Sequence, residues 1–119
     1  MFEPVKNNET ARVINDLKIL AIEKKVPLWK RVATELEKPS KNRRQVNLFK
    51  IEKYSKDGDV VLVPGKILGT GNLTKKITIV AMSLSESAKE KILAAKIKIM
   101  TMDELMEKNP QGNKVKLMG

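Results

Sequence analysis

The stretch Val60-Val61-Leu62-Val63-Pro64-Gly65-Lys66-Ile67-Leu68-Gly69-Thr70-Gly71-Asn72 decides how this chain is read. Its first four residues are apolar and mostly β-branched, the pattern of a strand covered on both faces, and Pro64-Gly65 is expected to stop that strand. The glycine-rich segment beyond invites a phosphate-binding reading, which its spacing must support or refuse. A Walker loop places lysine directly after its last glycine and a helix beyond it. Here Lys66 follows the first glycine, and Gly71 is followed by Asn72-Leu73 and then another apolar run. A dinucleotide fingerprint would need glycine where Thr74 stands. Both nucleotide readings fail on spacing. Two remain: a tight loop between strands whose glycines take positive φ, or a loop whose N–H groups approach a nucleic-acid phosphate, with Lys66, Gly69, Gly71, Lys75 and Lys76 close together.

Downstream, residues 77–83 form a second apolar strand. Ser85 can cap a helix over 86–95 with Ala88, Ile92 and Ala95 facing inward, and Ile97 and Ile99 alternate with lysines as a half-exposed strand. Thr101 and Glu104 stand in a capping-box relation before a short helix that stops at Asn109-Pro110, and Val115 and Leu117 mark a last strand. Upstream, Val13, Ile14, Leu17, Leu20 and Ala21 recur at helical spacing over residues 8–25, with Asn8 or Thr10 available as cap. Pro27 suits the first turn of a second helix, to about Glu37, burying Trp29, Val32, Ala33 and Leu36, and Pro39 ends it. Residues 38–45 carry no apolar side chain except proline and read as a basic loop. A short helix follows from Leu48 to Ser55 behind Asn47. The order, helices first and then strands interleaved with helices, predicts one α/β domain over residues 1–119 with an N-terminal helical part.

Charge narrows the function. The chain has 119 residues, 24 Lys+Arg against 14 Asp+Glu, and a net charge of +10. Residues 24–56 alone hold eleven basic and three acidic residues, a net of +8. Local charge of that density is the electrostatic footprint of a polyanion binder. Lys30, Arg31, Lys38, Lys41, Arg43, Arg44, Lys50 and Lys53, with Asn42 and Asn47 among them, could meet one stretch of nucleic-acid backbone, the arginines bidentately. Only four aromatic residues are present, Phe2, Trp29, Phe49 and Tyr54. Base stacking is therefore a minor theme, and phosphate contacts and shape should dominate. Trp29 belongs to the core, whereas Phe49 lies off the inner stripe beside the basic loop.

The chain has no His and no Cys, so thiolate metal sites, disulfides and the commonest general base are missing. Its carboxylates sit in turns or first helical turns, and no pair suggests acid–base catalysis. No metal and no cofactor are expected. No apolar run approaches the ~18 residues that span a bilayer, and Met1-Phe2-Glu3-Pro4 opens no secretory stretch, so a cytoplasmic location is expected.

Several stretches also resemble a known family. Val46-Asn47-Leu48 followed by Ile51, the run Val61–Leu73, and Asn109-Pro110-Gln111-Gly112 are similar to the archaeal and eukaryotic large-ribosomal-subunit protein eighteen family. The Trp29 segment with Leu36-Glu37-Lys38-Pro39 fits as well, so the resemblance spans nearly the whole chain in order, at the size of the archaeal form. It implies irregular β-β-α units shared with the globular part of ribosomal protein fifteen, with extra N-terminal helices. It also implies a structural role in the large subunit: binding ribosomal RNA and neighbouring ribosomal proteins, without catalysis or cofactor. The resemblance puts Lys66, Gly69 and Gly71 in a family loop and Asn47 at a family helix start. Two other classes share some of these features. A chromatin-type DNA-binding module matches the charge, and a small nucleotide-binding enzyme would use residues 65–71.

Overall fold

The structure, a computed structural model, describes residues 7–38 and 45–118. Helix α1 spans Asn7–Lys24 and α2 spans Pro27–Glu37. Strand β1 (Gln45–Asn47), helix α3 (Leu48–Tyr54), strand β2 (Val60–Leu68) and strand β3 (Thr78–Leu84) follow. Helix α4 (Glu86–Ala94), strand β4 (Lys98–Met100), helix α5 (Met102–Lys108) and strand β5 (Val115–Leu117) complete the order. Every strand pairing is parallel. β3 lies along one edge of β2, and the other edge is shared: β5 pairs with Val60–Leu62 and β1 with Lys66–Leu68. β4 closes the far side next to β3.

Alternation along the two central strands explains the layers. Val61, Val63, Ile79 and Ala81 face α3 and α4, packing with Leu48, Ile51, Ala88 and Ile92. Leu62, Val80 and Met82 face the opposite way onto Val13, Leu17, Trp29, Val32, Leu36 and Leu105 of α1, α2 and α5. Helices on both faces cover the centre of the parallel sheet, which is why β2 and β3 read as continuous apolar runs. The β2–β3–α4 segment is a β-β-α unit, and the N-terminal helices stand as expected.

Particular elements depart from expectation. Pro64-Gly65 does not stop β2. The strand continues to Leu68, with a register shift against β3 between Val63 and Lys66. Proline has no N–H for a ladder, and a bulge is where a strand accommodates it. Gln45, expected as the last residue of the basic loop, instead opens β1 with Val46 and Asn47, because Val46 buries on the α3 face beside Ile67. Neither Asn8 nor Thr10 caps α1: both lie inside a helix that includes Asn7, and Thr10 is buried. Ala95 is exposed rather than inward, since α4 ends one residue before it. Pro39, Lys41, Asn42, Arg43 and Arg44 lie outside the described residues.

Local chemistry sets the helix boundaries. Ser85 accepts a hydrogen bond from the Ala88 N–H at 3.2 Å, and Thr101 accepts one from Glu104 at 3.2 Å. Pro27 occupies the first turn of α2, where its missing N–H leaves no bond unmade. Trp29, fully buried, donates from Nε1 to the Pro110 carbonyl at 2.8 Å, joining α2 to the turn before β5.

The glycine-rich segment is not a tight loop. β3 starts opposite the start of β2, Thr78 beside Val60, so residues 69–77 must return along the length of β2. They do so laid over α3. Phe49 N–H donates to Thr70 O at 3.0 Å, and Gly58 N–H donates to Lys76 O at 2.8 Å. Gly71 takes φ +104°, and a Cβ there would stand 2.5 Å from the Phe49 nitrogen. Gly58 also has positive φ, +91°, but a Cβ there would meet nothing within 4 Å. Gly58→Ala should therefore cost about 1–2 kcal/mol for conformation alone. Gly71→Ala should cost about 2–4 kcal/mol, because α3 must also move aside. Urea denaturation of the two variants checks this, and equal losses would mean that the approach to α3 carries no weight.

Candidate nucleic-acid interface

Among the described residues the basic side chains around the candidate site fall into three groups, while Lys41, Arg43 and Arg44 lie outside the description. Lys30 and Arg31 are exposed on α2, and Lys38 follows its last turn, its ammonium 3.0 Å from Glu35. Lys66 belongs with them. It pairs with Gln45 in register, and Ile67 faces the α3 layer, so alternation turns Lys66 to the α2 side, where β1 emerges from the segment 39–44. Across the sheet, Lys50 and the exposed Lys53 stand on α3. Phe49 and Tyr54 are exposed on the same helix, and the Lys53 ammonium lies 5.4 Å from the Tyr54 ring centroid. The third group surrounds a hollow where the returning segment meets the starts of β3 and β4: Lys75, Lys76, Lys96 and Lys98 all line it.

Several of these residues have structural work within the chain. Lys75 donates to the carbonyl of Glu52, and to that of Ser55 at 2.5 Å. Those carbonyls end α3, where a cation is favoured by the unsatisfied groups and the helix dipole. Glu52 faces the same segment, accepting from the Thr74 N–H at 3.0 Å and the Thr74 hydroxyl at 2.5 Å. A Cβ at Gly69 would lie 2.1 Å from Ser87 Oγ and 2.8 Å from the Ala88 nitrogen, so close packing against α4 accounts for that glycine. Contact with Phe49 accounts for Gly71. Asn47 stands at the N-cap of α3 without a side-chain cap bond, and its Oδ1 is buried without a partner among the described residues.

Sequence reading missed Lys91. Its ammonium donates to Gly69 O at 2.7 Å and Gly71 O at 2.9 Å, fastening the glycine turn from α4. Nothing in the spacing marks a lysine some twenty residues downstream as the partner of that turn. Lys96 and Lys98 were visible only as the exposed alternation of β4. Lys98 is brought near Lys76 by pairing with Thr78 at the start of β3, and Lys96 by the turn between α4 and β4.

The Glu52 carboxyl is held below its ordinary range, first by the Thr74 hydroxyl, then by the Thr74 N–H and nearby Lys75. A folded-state pKa below the unfolded one gives stability that is full above the unfolded value and is lost as pH falls through the folded value. Glu52→Gln should therefore flatten the acid end of the stability–pH profile while leaving its neutral end parallel to wild type. Lys91→Met should cost about 0.5–1.5 kcal/mol by loss of the two carbonyl contacts, with Lys89→Met as a near-neutral comparison. Thermal melts at several pH values read both.

Among the described residues no cluster of acidic side chains could hold a metal ion, and no helix is long and apolar enough to cross a membrane. Fold and surface together define a small basic α/β domain with no catalytic or metal cluster among the described residues. Residues 3–119 match the family described as ribosomal protein 60S L18 and 50S L18e. The chain is similar to the large ribosomal subunit protein eL18 of Methanococcus maripaludis, 43% identical over 112 residues covering 94% of this chain and 93% of that protein. It is also similar to the protein of that name from Sulfurisphaera tokodaii, 45% identical over 113 residues with 95% and 96% covered. The Archaeoglobus fulgidus protein is 47% identical over 92 residues, covering 77% and 79%. The chain belongs to this family of large-subunit ribosomal proteins, a structural family rather than an enzymatic one. The nucleotide-enzyme alternative falls with that membership, and a cytoplasmic location agrees with it.

Proposed function

We propose that residues 1–119 act as one domain that binds large-subunit ribosomal RNA and stabilises its folded form beside neighbouring ribosomal proteins. The observation that carries this is the layout of the +8 segment, residues 24–56. In sequence it begins at the last residue of α1, includes α2, β1 and α3 and ends just past α3, and exposed cations stand on both α2 and α3. Lys30, Arg31, Lys38, Lys41, Asn42, Arg43, Arg44, Asn47, Lys50, Lys53, Lys66 and Lys76 are the direct contacts in this reading. Gly69, Gly71 and Lys75 contribute by holding the shape of the returning segment against α3. Phosphate contacts supply affinity, and Phe49 and Tyr54 offer at most two stacking surfaces.

Replacing Arg43 and Arg44 together with Ala should weaken binding to large-subunit ribosomal RNA. It should also shallow the dependence of log affinity on log salt by roughly 1.4–1.8 units, the share of two phosphate contacts. Filter binding across a salt series, with a melt to show the fold unchanged, measures this. An unchanged slope removes the arginines from the interface. The chromatin-type alternative falls with family membership too, and equal affinity for duplex DNA in competition would mean that these cations read charge without RNA shape.

A further inference from the structure

One face of this cationic molecule has the opposite character. α1 and α5 are tied at one end by Arg12, whose guanidinium lies 3.0 Å from Asp16 and 2.8 Å from Asp103. Beyond that tie a groove runs between the helices, lined by Ile19, Leu20 and Met106 and rimmed by Asp16, Glu23 and Glu107. Ile19 is 47% exposed, and Ile22, one helical turn further along α1, is 78% exposed. Scattered surface apolar residues are ordinary. Here Ile19 and Leu20 share the groove with a half-buried methionine among carboxylates, and Ile22 stands a turn along α1 at its margin. Arg12 offsets Asp16 and Asp103, but Glu23 and Glu107 have no ion-pair partner among the described residues.

The two properties select an occupant. Carboxylates repel a phosphate backbone, which disfavours RNA as the cover of this face. An apolar floor gains by being covered, and an acidic rim favours a cationic cover. A second copy of the chain would bring the same carboxylates onto these in an isologous pair, which like charge opposes.

We propose that the α1–α5 groove docks a lysine- or arginine-rich segment of a neighbouring protein, seating an apolar side chain of that segment on Ile19, Leu20 and Met106 between Glu23 and Glu107, beside the exposed Ile22. This deepens the neighbouring-protein part of the proposed function and does not rest on any RNA contact of residues 24–56.

The test uses the full chain assembled into large ribosomal subunits, with a photo-crosslinking residue in place of Ile22 and, separately, in place of Lys53. The Ile22 position should yield a protein adduct whose crosslinked peptide, identified by mass spectrometry, is net basic and contains an apolar residue. The Lys53 position should yield RNA. An Ile22 adduct to RNA, to a second copy of this chain or to a peptide that is not basic overturns the proposal, as does no Ile22 adduct where Lys53 labels. A basic peptide at Ile22 with no RNA at Lys53 supports the groove and counts against the RNA reading of α3. The identified peptide, synthesised, should then bind the free chain at low salt, and Glu23→Lys with Glu107→Lys should weaken it at least tenfold. Equal affinity for that variant, with an unchanged melt, overturns the proposal.

Discussion

Two parallel strands that are neighbours in both sequence and sheet impose a demand on whatever joins them, because the chain must travel back to the starting end before the second strand begins. Between Leu68 and Thr78 that return is made without a helix. Carrying the chain back along β2 means covering about 26 Å at the rise of a strand, and the segment reaches about 33–36 Å at full extension. Little slack remains, so the segment must run nearly straight, and it can do so only if α3 leaves room. Gly71 against Phe49 and Gly69 against α4 provide that room. Glu52, Lys75 and Lys91 then hold the path with bonds from helices on either side of it. The glycines, the acid and the two lysines thus serve one geometric problem, and the position of Lys76 beside Lys96 and Lys98 follows from its solution.

Much of this was legible in the residues. Pro27, Trp29, Val32, Ala33 and Leu36 gave α2 its bounds and its buried side, since a helix-opening proline and a regular apolar spacing leave few alternatives. Ser85 and Thr101 marked helix starts through side-chain oxygens that the backbone needs there. The failures share a cause. Pro64-Gly65 punctuates locally, but β2 carries through it because pairing on both edges outweighs a single missing donor. β1 is three residues long and exists only because β2 offers it an edge. For the interface, cationic composition was plain from the sequence, whereas the separation of Lys66 from Lys50 and Lys53 onto opposite faces depends on strand alternation across a bulge.

The division of charge follows from the same layering. The sheet has helices on both sides, so the molecule presents more than one helical surface to its surroundings. α3 turns lysines and aromatic rings outward, while α1 and α5 turn out isoleucines and carboxylates. The two surfaces lie on opposite sides of the sheet, so the molecule differs in charge from one side to the other.

The shared edge of β2 has a consequence in time. Val60–Leu62 gain their second neighbour only from Val115–Leu117, and Trp29 in α2 finds its carbonyl acceptor only at Pro110. During synthesis the N-terminal helices and the central strand leave the translating machinery before the residues that complete them. At ordinary elongation rates the interval between Val60 and Leu117 is about 3–11 s. Through that interval the central strand has an unpaired edge at its apolar start, the kind of surface that other chains can join. The last strand therefore closes a window of vulnerability as well as a sheet, and a chain halted before it would carry that window permanently open.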